Sequence, residues 1–276
     1  MKIGAMVESF SLGFEGGLAA AKELGCDGVQ MFVPGEWTPA EVAERKAKVD
    51  DAGLEVSGVC ADFGGHGFMV AEENPARIER SKRAMDEALG LGTSVITTHI
   101  GVVPHDKNNP RYAVMADACR QLAEYGHSVG ATFAIETGPE PGPMLRRFID
   151  DVGVGVGLGV NFDPANLAMV ISDDVVASVE ALAPFIVHTH AKDGVNKWKV
   201  DPEVTYGAVP CPEGVEQWGG FLEVPLGQGS VPWPEYIAAL RKAGFDGYLC
   251  IERECGDDPR ADIAMAVDFL RDQLKA

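Results

Sequence analysis

The stretches AAAKELGCDGVQMFV (residues 19–33) and AALRKAGFDGYLCIE (residues 238–252) lie at opposite ends of the chain and share one pattern. In each, an alanine-rich amphipathic segment ends at a Gly, and the sequence Gly-x-Asp-Gly leads into an apolar run. The pattern predicts a helix that turns at glycine and feeds a buried strand. This is the repeating unit of a parallel βα protein.

The same unit recurs between these two stretches and gives eight strand candidates, each followed by a helix candidate or a long loop. Eight alternating units predict a (β/α)8 TIM barrel that occupies residues 1–276 as a single domain. A doubly wound open sheet is the alternative, but no GxGxxG follows the first strand, so no nucleotide cofactor site is predicted. The candidates are KIGAMVES, GVQMFV, LEVSGVCAD, TSVITTHIG, ATFAIETG, GLGVNFD, FIVHTHAKD and YLCIERE.

Residues 194–222 lengthen the connection between the seventh and eighth strand candidates. This segment is rich in proline and aromatic residues and shows no helical period. We expect a structureless inserted loop that serves as a lid or as an oligomer contact, because long loops in compact domains are usually functional. The second reading would make the protein a homo-oligomer.

Composition narrows the function. Lys and Arg total 23 against 42 Asp and Glu, a formal charge of −19, which disfavours nucleic acid as a partner. No apolar run approaches the roughly 20 residues that span a bilayer, and MKIGAMVESF lacks the layout of a signal peptide, so we expect a cytoplasmic protein without a membrane role. The six cysteines form no CxxC pair and are expected to be reduced.

Four strand candidates in the second half end at a side chain that can bind metal. These are Glu136 in FAIETGPE, Asp163 in GVNFDPANL, His190 in IVHTHAKDG and Glu252 in YLCIERE. Any one alone is as often a helix cap or a salt-bridge partner. Four together, at strand ends that converge in a barrel, predict one divalent cation with open positions. Manganese is the first choice, and magnesium, cobalt or zinc are the alternatives.

His188 lies on the same strand face as His190, so periodicity does not choose between them. The position nearer the strand end is favoured as ligand, which leaves His188 as a buried histidine near the site and a candidate for binding substrate. Lys192 and Asp193 follow as substrate-binding groups or as a solvated ion pair.

A cation held in this way can polarise a sugar carbonyl and stabilise an enediolate. Glu136 and Glu252 stand on different strands, so one can remove a proton and the other return it. This predicts an isomerase or epimerase of a small carbohydrate. Both carboxylates are expected at the exposed mouth of the barrel.

At these residues the chain resembles the sugar isomerase and epimerase superfamily with a xylose isomerase-like TIM barrel. That group includes ketose 3-epimerases, hydroxypyruvate isomerase, inosose dehydratase and endonuclease IV. The resemblance covers nearly the whole chain and is carried by KIGAMVESF, LGCDGVQ, THIG, AIETGP, NFDPANL, HTHAKDG and PLGQGSVPWPEYIAALRKAGFDGYLCIERE.

The resemblance implies that Glu136, Asp163, His190 and Glu252 bind the metal and that the two glutamates form the acid/base pair. It also implies that polar residues at other strand ends bind substrate. These are Glu8, His66 and His99.

Two positions depart from the ketose 3-epimerase pattern: Asn166 and Asn196 stand where those enzymes carry His and Arg. Asn166 remains a substrate-binding candidate, and the ligand expected from these changes is a keto-inositol or a modified sugar. The alternatives left open are a dehydratase on the same site, an endonuclease IV-like nuclease and a non-catalytic barrel subunit.

Overall fold

A computed structural model describes residues 1–65 and 67–275. Eight parallel strands close into a barrel in the order β1-β10-β7-β6-β5-β4-β3-β2, and each of the eight predicted strands is present. The barrel strands are β1 (Lys2–Met6), β2 (Gly28–Phe32), β3 (Glu55–Cys60), β4 (Val95–Thr98), β5 (Thr132–Glu136), β6 (Leu158–Phe162), β7 (Ile186–Ala191) and β10 (Tyr248–Ile251).

Helices fill the intervals between the strands, as the repeated unit predicts. Seven of them are long enough to cover the barrel, and an eighth packs after the sixth strand. They are α1 (Gly13–Glu23), α2 (Pro39–Ala52), α3 (Asn74–Leu91), α4 (Pro110–Val129), α5 (Gly142–Val152), α6 (Val175–Leu182), α8 (Trp233–Lys242) and α9 (Pro259–Lys275). None of the helices in the described ranges is long and apolar enough to cross a membrane.

The two Gly-x-Asp-Gly turns, at residues 25–28 and 244–247, have the same structural role. Gly25 and Gly244 follow α1 and α8 with φ values of 72° and 77°, a left-handed conformation that glycine adopts at little cost. Asp27 then accepts a hydrogen bond from the amide of Ile3, and Asp246 accepts one from the amino group of Met1. Both turns therefore hold the start of β1, where the barrel closes.

The interior of the barrel becomes polar towards the carboxyl ends of the strands. On β2, Val29 and Met31 are buried on one face, and Gln30, between them, is buried on the other. Because side chains alternate along a strand, Gln30 points towards the barrel axis. Asn161 and His188 are equally buried on β6 and β7. The interior of the barrel beneath its carboxyl-end face is therefore lined with polar side chains instead of apolar ones.

The inserted segment is present between β7 and β10, but the expectation of a structureless loop is wrong at its two ends. Strands β8 (Asp193–Asn196) and β9 (Phe221–Val224) pair antiparallel, and the short helix α7 (Pro202–Thr205) lies between them. The hairpin forms because the chain that leaves β7 meets the chain that returns to β10. Its role as a lid or an oligomer contact stays a prediction.

Candidate active site

The four predicted metal ligands come together at the carboxyl ends of β5, β6, β7 and β10. Glu136, Asp163, His190 and Glu252 each offer a ligand atom, and these four atoms lie within 4.8 Å of one another. We call this set the ligand layer. Its side chains arrive from four neighbouring strands because a barrel strand brings its carboxyl end to the same face as its neighbours.

The imidazole of His190 is oriented by a residue on the opposite side of the barrel. Its Nε2 lies 2.9 Å from Oε1 of Gln30, while Gln30 donates its own amide hydrogen to Thr97. Nε2 also lies 3.3 Å from the amide nitrogen of Asn161. The shorter contact is with an amide oxygen, which can only accept, so it assigns the hydrogen to Nε2 and leaves Nδ1 to face the centre of the site. Nδ1 lies 3.4 Å from Glu136, 3.6 Å from Asp163 and 3.3 Å from Glu252.

Asp163 uses one oxygen for the fold and leaves the other free. Its Oδ1 accepts hydrogen bonds from the amides of Ala165 and Asn166, at the start of a π-helix that covers Asn166–Ile171. Its Oδ2 faces His190 and has no hydrogen-bond partner in the part of the chain that the structure describes.

The donor set fits a cation. Nδ1 of His190 and Oδ2 of Asp163 are both buried without a hydrogen-bond partner among the described residues, and both belong to the ligand layer. Buried polar atoms are nearly always satisfied, so two unsatisfied atoms at one point call for a missing partner. Three carboxylates and one imidazole could supply that partner, a divalent metal ion, with ligands of the types it prefers.

Electrostatics keep the glutamates of the ligand layer ionised. Burial alone would raise the pKa of Glu252 and Glu136, but His190 together with Lys192 or His99 outweighs it and lowers both pKa values, that of Glu252 strongly. For His190, burial disfavours the charged ring, yet the charges of Glu252 and Glu136 raise its pKa well above the usual range. A proton therefore occupies Nδ1 when no cation competes for it.

A second group of buried polar residues lies directly beneath, and we call it the support layer: Gln30, Ser57, Asn161 and His188. Asn161 donates to Glu136 over 3.2 Å and accepts from Nδ1 of His188 at 2.8 Å. Nε2 of His188 lies 3.2 Å from Oγ of Ser57. Burial lowers the pKa of His188 to about 3, so this ring is neutral.

Three members of the support layer were not singled out in the sequence. Gln30 and Asn161 are polar residues in otherwise apolar strands, GVQMF and LGVNF. A polar side chain at an inward position of a buried strand needs a buried partner, and this signal could have found both.

Lys192 is buried beside the ligand layer. Its Nζ lies 3.0 Å from Oε2 of Glu252 and 3.8 Å from Glu223 on β9, and it also contacts the carboxylate of Glu254. Burial opposes its charge, but these acidic neighbours raise its pKa well above the ordinary lysine value. Glu223 also binds Arg253 at 2.6 Å, so the inserted hairpin is tied to the end of β10 by buried ion pairs.

Two further predicted substrate residues lie at the site. His99 stands 3.5 Å from Glu136, and Asn166 donates to Oε1 of Glu136 at 3.4 Å and to the carbonyl of Thr137 at 3.2 Å. Asn196, the other departure from the epimerase pattern, donates to the carbonyl of Met169 instead.

Three other residues predicted to bind substrate, His188, Asp193 and Glu8, do not line the cavity described below. His188 belongs to the support layer. Asp193 is buried, and its two oxygens accept hydrogen bonds from Gly194, Gly227, Val231 and Trp233, so it fastens the end of the insertion to the barrel. Glu8 accepts from the amide of Phe32 and does not line the cavity described below. His66 lies outside the described residues.

A cavity of about 640 Å³ opens above the ligand layer. Glu136 and Glu252 line it, but both are largely buried, so the expectation that they lie exposed at the mouth is wrong. The insertion forms one wall of the cavity through Tyr206, Trp218 and Phe221. Another depression of about 500 Å³ lies between α3 and α4, away from the strand ends.

Comparisons with known proteins agree with this architecture. The sequence model of the family described as xylose isomerase-like TIM barrel matches residues 18–273. L-ribulose-5-phosphate 3-epimerase UlaE of Shigella flexneri serotype 5b (strain 8401) is 22% identical over 93% of this chain and 88% of its own length.

Solved structures give the same picture. A xylose isomerase domain protein from Planctomyces limnophilus superposes with a TM-score of 0.81 and 26% identity, over 99% of this chain and 96% of that one. The 3-keto-D-glucoside 4-epimerase YcjR from E. coli, in its apo form, gives a TM-score of 0.73 and 17% identity over 99% of both chains.

Proposed function

Since the chain belongs to the xylose isomerase-like TIM barrel family, we propose that it is a divalent-metal-dependent epimerase or isomerase of a small carbohydrate. The observation that carries the proposal is the ligand layer with its two unsatisfied buried atoms, Nδ1 of His190 and Oδ2 of Asp163. The sugar epimerases among the relatives support the same reaction class.

Glu136, Asp163, His190 and Glu252 would hold the cation, and manganese is the metal that this mixture of oxygens and one imidazole favours. When bound, the cation would supply positive charge beside a substrate carbonyl and so lower the free energy of the negative charge that develops on its oxygen. The hydrogen bond from His190 to Gln30 fixes the tautomer that such binding requires.

The proton steps belong to Glu136 and Glu252. Both carboxylates line the cavity, whereas Asp163 and His190 lie below them and do not. Their lowered pKa values keep them ionised, as a base must be before it accepts a proton from carbon. They reach the cavity from β5 and β10, with β6 and β7 between them. One carboxylate removes the proton from one face of the substrate carbon, and the other returns a proton to the opposite face.

Epimerisation at the carbon next to a carbonyl is a single reaction scheme that describes the reactions named for both relatives. A 3-epimerase of a 2-ketose and a 4-epimerase of a 3-keto sugar both invert the carbon adjacent to the carbonyl. That hydrogen is acidic because the carbonyl accepts the electron pair as an enediolate. The proposal therefore favours epimerisation of a keto-sugar, and the position of the ketone depends on how the sugar is seated.

Exchange with solvent tests the proposal. The manganese-loaded protein is incubated with candidate keto-sugars in deuterated water, and the recovered sugars are analysed by mass spectrometry and NMR. We expect deuterium at the inverted carbon. A product lighter by one water would show a dehydratase instead, and absence of exchange with every sugar would contradict the proposal.

Variants of the two glutamates test the assignment of the proton steps. Glu136→Gln and Glu252→Gln are each expected to lower the rate of epimerisation by about three orders of magnitude or more, because an amide can neither accept nor return the proton. Glu235→Gln is the control, since Glu235 is an exposed glutamate at the start of α8 and belongs neither to the ligand layer nor to the lining of the cavity. Retained epimerisation in either of the first two variants would refute the two-base scheme, whereas exchange of one epimer without inversion would support it, because the remaining carboxylate still serves its own face.

A further inference from the structure

The charges that line the cavity are almost all negative. Asp62, Glu136, Glu252 and Glu254 line it, and among the described lining residues Lys192 is the single Lys or Arg. A phosphate ester carries close to two negative charges at neutral pH and is normally held by Arg, Lys or free backbone amides. Together with Asp163 beneath them these are five carboxylates, and Lys192 with a bound divalent cation would offset three of the five negative charges. The field in the cavity therefore stays negative.

The positive charge of Lys192 is already paired with carboxylates. Its Nζ lies within 4 Å of carboxylate oxygens of Glu252, Glu254 and Glu223, and the side chain is 3% exposed. A phosphate that approached this ammonium would have to displace a carboxylate and would meet the others at short range. Lys192 therefore balances the acidic site instead of attracting an anion to it.

Two other donors near the cavity also have acidic partners. The imidazole of His99 faces Glu136 at 3.5 Å, and the amide of Gly64, in the loop after β3, donates to Asp62 at 2.7 Å. Of the other basic residues near this end of the barrel, Arg253 is bound to Glu223 and Asp262, and Nζ of Lys197 lies over the ring of Trp198.

The wall that the insertion contributes to the cavity has a different chemistry. Tyr206, Trp218 and Phe221 from the insertion line it together with Met169 and Val170. Trp218 packs edge-on against Phe221 at 6.2 Å between ring centroids, and its side chain stays 56% exposed, so a face of the indole is open. Aromatic faces of this kind bind apolar groups and the C–H faces of rings.

The cavity is large enough to hold a ligand that contacts both the ligand layer and the aromatic wall. A volume of about 640 Å³ lies in the range that holds drug-sized ligands, and the cavity is lined both by Glu136 and Glu252 of the ligand layer and by Trp218 of the insertion. From the charge and the aromatic wall we infer that the substrate is an uncharged, unphosphorylated glycoside. Its keto-sugar ring lies at the ligand layer, and its glycosidic substituent packs on Trp218. This inference rests on the proposed function and adds the substrate class to it.

Matched sugars test the absence of a phosphate. Deuterium exchange is measured with the manganese-loaded protein on L-ribulose and L-ribulose 5-phosphate, and on 3-keto-D-glucose with its methyl and phenyl β-glycosides. We expect the phenyl glycoside to be the best substrate, and L-ribulose to exceed its phosphate by at least about tenfold in kcat/KM. A preference for the phosphate ester would overturn the inference and leave the proposed function intact. Exchange with none of the sugars would remove both.

Two tryptophan variants test the aromatic subsite. Trp218→Ala is expected to raise the KM of the phenyl glycoside roughly tenfold and to change that of free 3-keto-D-glucose little, because only the glycoside reaches the indole. Trp198→Ala is the control, since Trp198 is equally exposed on the same insertion but does not line the cavity. Calorimetric binding of phenyl β-D-glucoside, which lacks the ketone and cannot be epimerised, to the manganese-loaded protein with and without Trp218→Ala gives a readout independent of turnover. Equal KM values and affinities with and without Trp218 would overturn the subsite.

Discussion

The ligand layer and the support layer contain the same kinds of side chain, but they satisfy them differently. His188 and His190 show this most directly, since they lie two residues apart on the same face of β7. Both nitrogens of His188 have polar partners, Asn161 and Ser57. Nε2 of His190 has two such neighbours, Gln30 and Asn161, while its Nδ1 faces three carboxylates and has no hydrogen-bond partner among the described residues.

This difference gives a structural criterion that distinguishes a candidate metal-binding histidine from a purely structural one, and the criterion needs no alignment of related sequences. A satisfied buried imidazole completes the interior, whereas a buried imidazole that is oriented on one side and unsatisfied on the other is prepared for a further partner. The support layer does the orienting, because Gln30 fixes His190 and Asn161 fixes Glu136.

Replacing each histidine by alanine should give the largest effects that we expect, and the two variants should differ in the property that is lost, metal binding in one and stability in the other. His190→Ala removes a ligand and should weaken manganese binding by about a hundredfold or more, with turnover lost. His188→Ala should keep the metal but cost about 2–4 kcal/mol of unfolding free energy, because it leaves a cavity and an unpaired Asn161. Metal analysis and urea unfolding of the metal-free proteins check both, and a His188→Ala protein that loses the metal while keeping its stability would break the comparison.

Gln30 tests whether the support layer acts through orientation. Gln30→Leu removes the acceptor that holds the Nε2 hydrogen of His190, and we expect manganese affinity to fall by about 10- to 100-fold. Gln30→Glu keeps an acceptor and should retain most of the affinity. Metal titration of both variants decides the point, since equal affinities for Leu and Glu would show that the contact does not orient the ligand.

Proton release on metal binding gives the smallest effect and the sharpest sign. The pKa of His190 is raised well above its usual value by Glu252 and Glu136, so in the metal-free protein its Nδ1 carries a proton at neutral pH. A cation must displace that proton, and its affinity should rise by about tenfold per pH unit until the pKa of His190 is passed. Calorimetry in buffers of different ionisation enthalpy should detect about one proton released. His188, neutral in either state, should contribute none, and binding without proton release would contradict the assignment of Nδ1.

Most of the fold could be predicted from residue patterns. The turns at Gly25 and Gly244, with their aspartates, repeat because every βα unit meets the same steric demand at the end of its helix. The insertion was located for the same reason, as an interruption of the repeat. The secondary structure inside the insertion could not be predicted, because the pairing of β8 with β9 depends on how the barrel places the two ends of the insertion.

The candidate site was predictable in its residue types and less so in its contacts. Asp193 looked like a substrate group beside Lys192, yet the structure turns it towards Trp233 and the loop after β9. Tyr206, Trp218 and Glu223 reach the site from a segment with no periodic signal. Sequence separation hides such neighbours, since Lys192 and Glu252 are 60 residues apart.

Residue patterns alone predicted the barrel and the four candidate ligands at strand ends, because strand periodicity and the shared direction of parallel strands place all carboxyl ends on one face. Which of their atoms remain without partners among the described residues depends on the tertiary fold. Those partners come from across the barrel: His190 meets Gln30 over 160 positions, and His188 meets Ser57 over 131. Hydrogen bonds of that range depend on how the barrel closes, and no local pattern of residues encodes them.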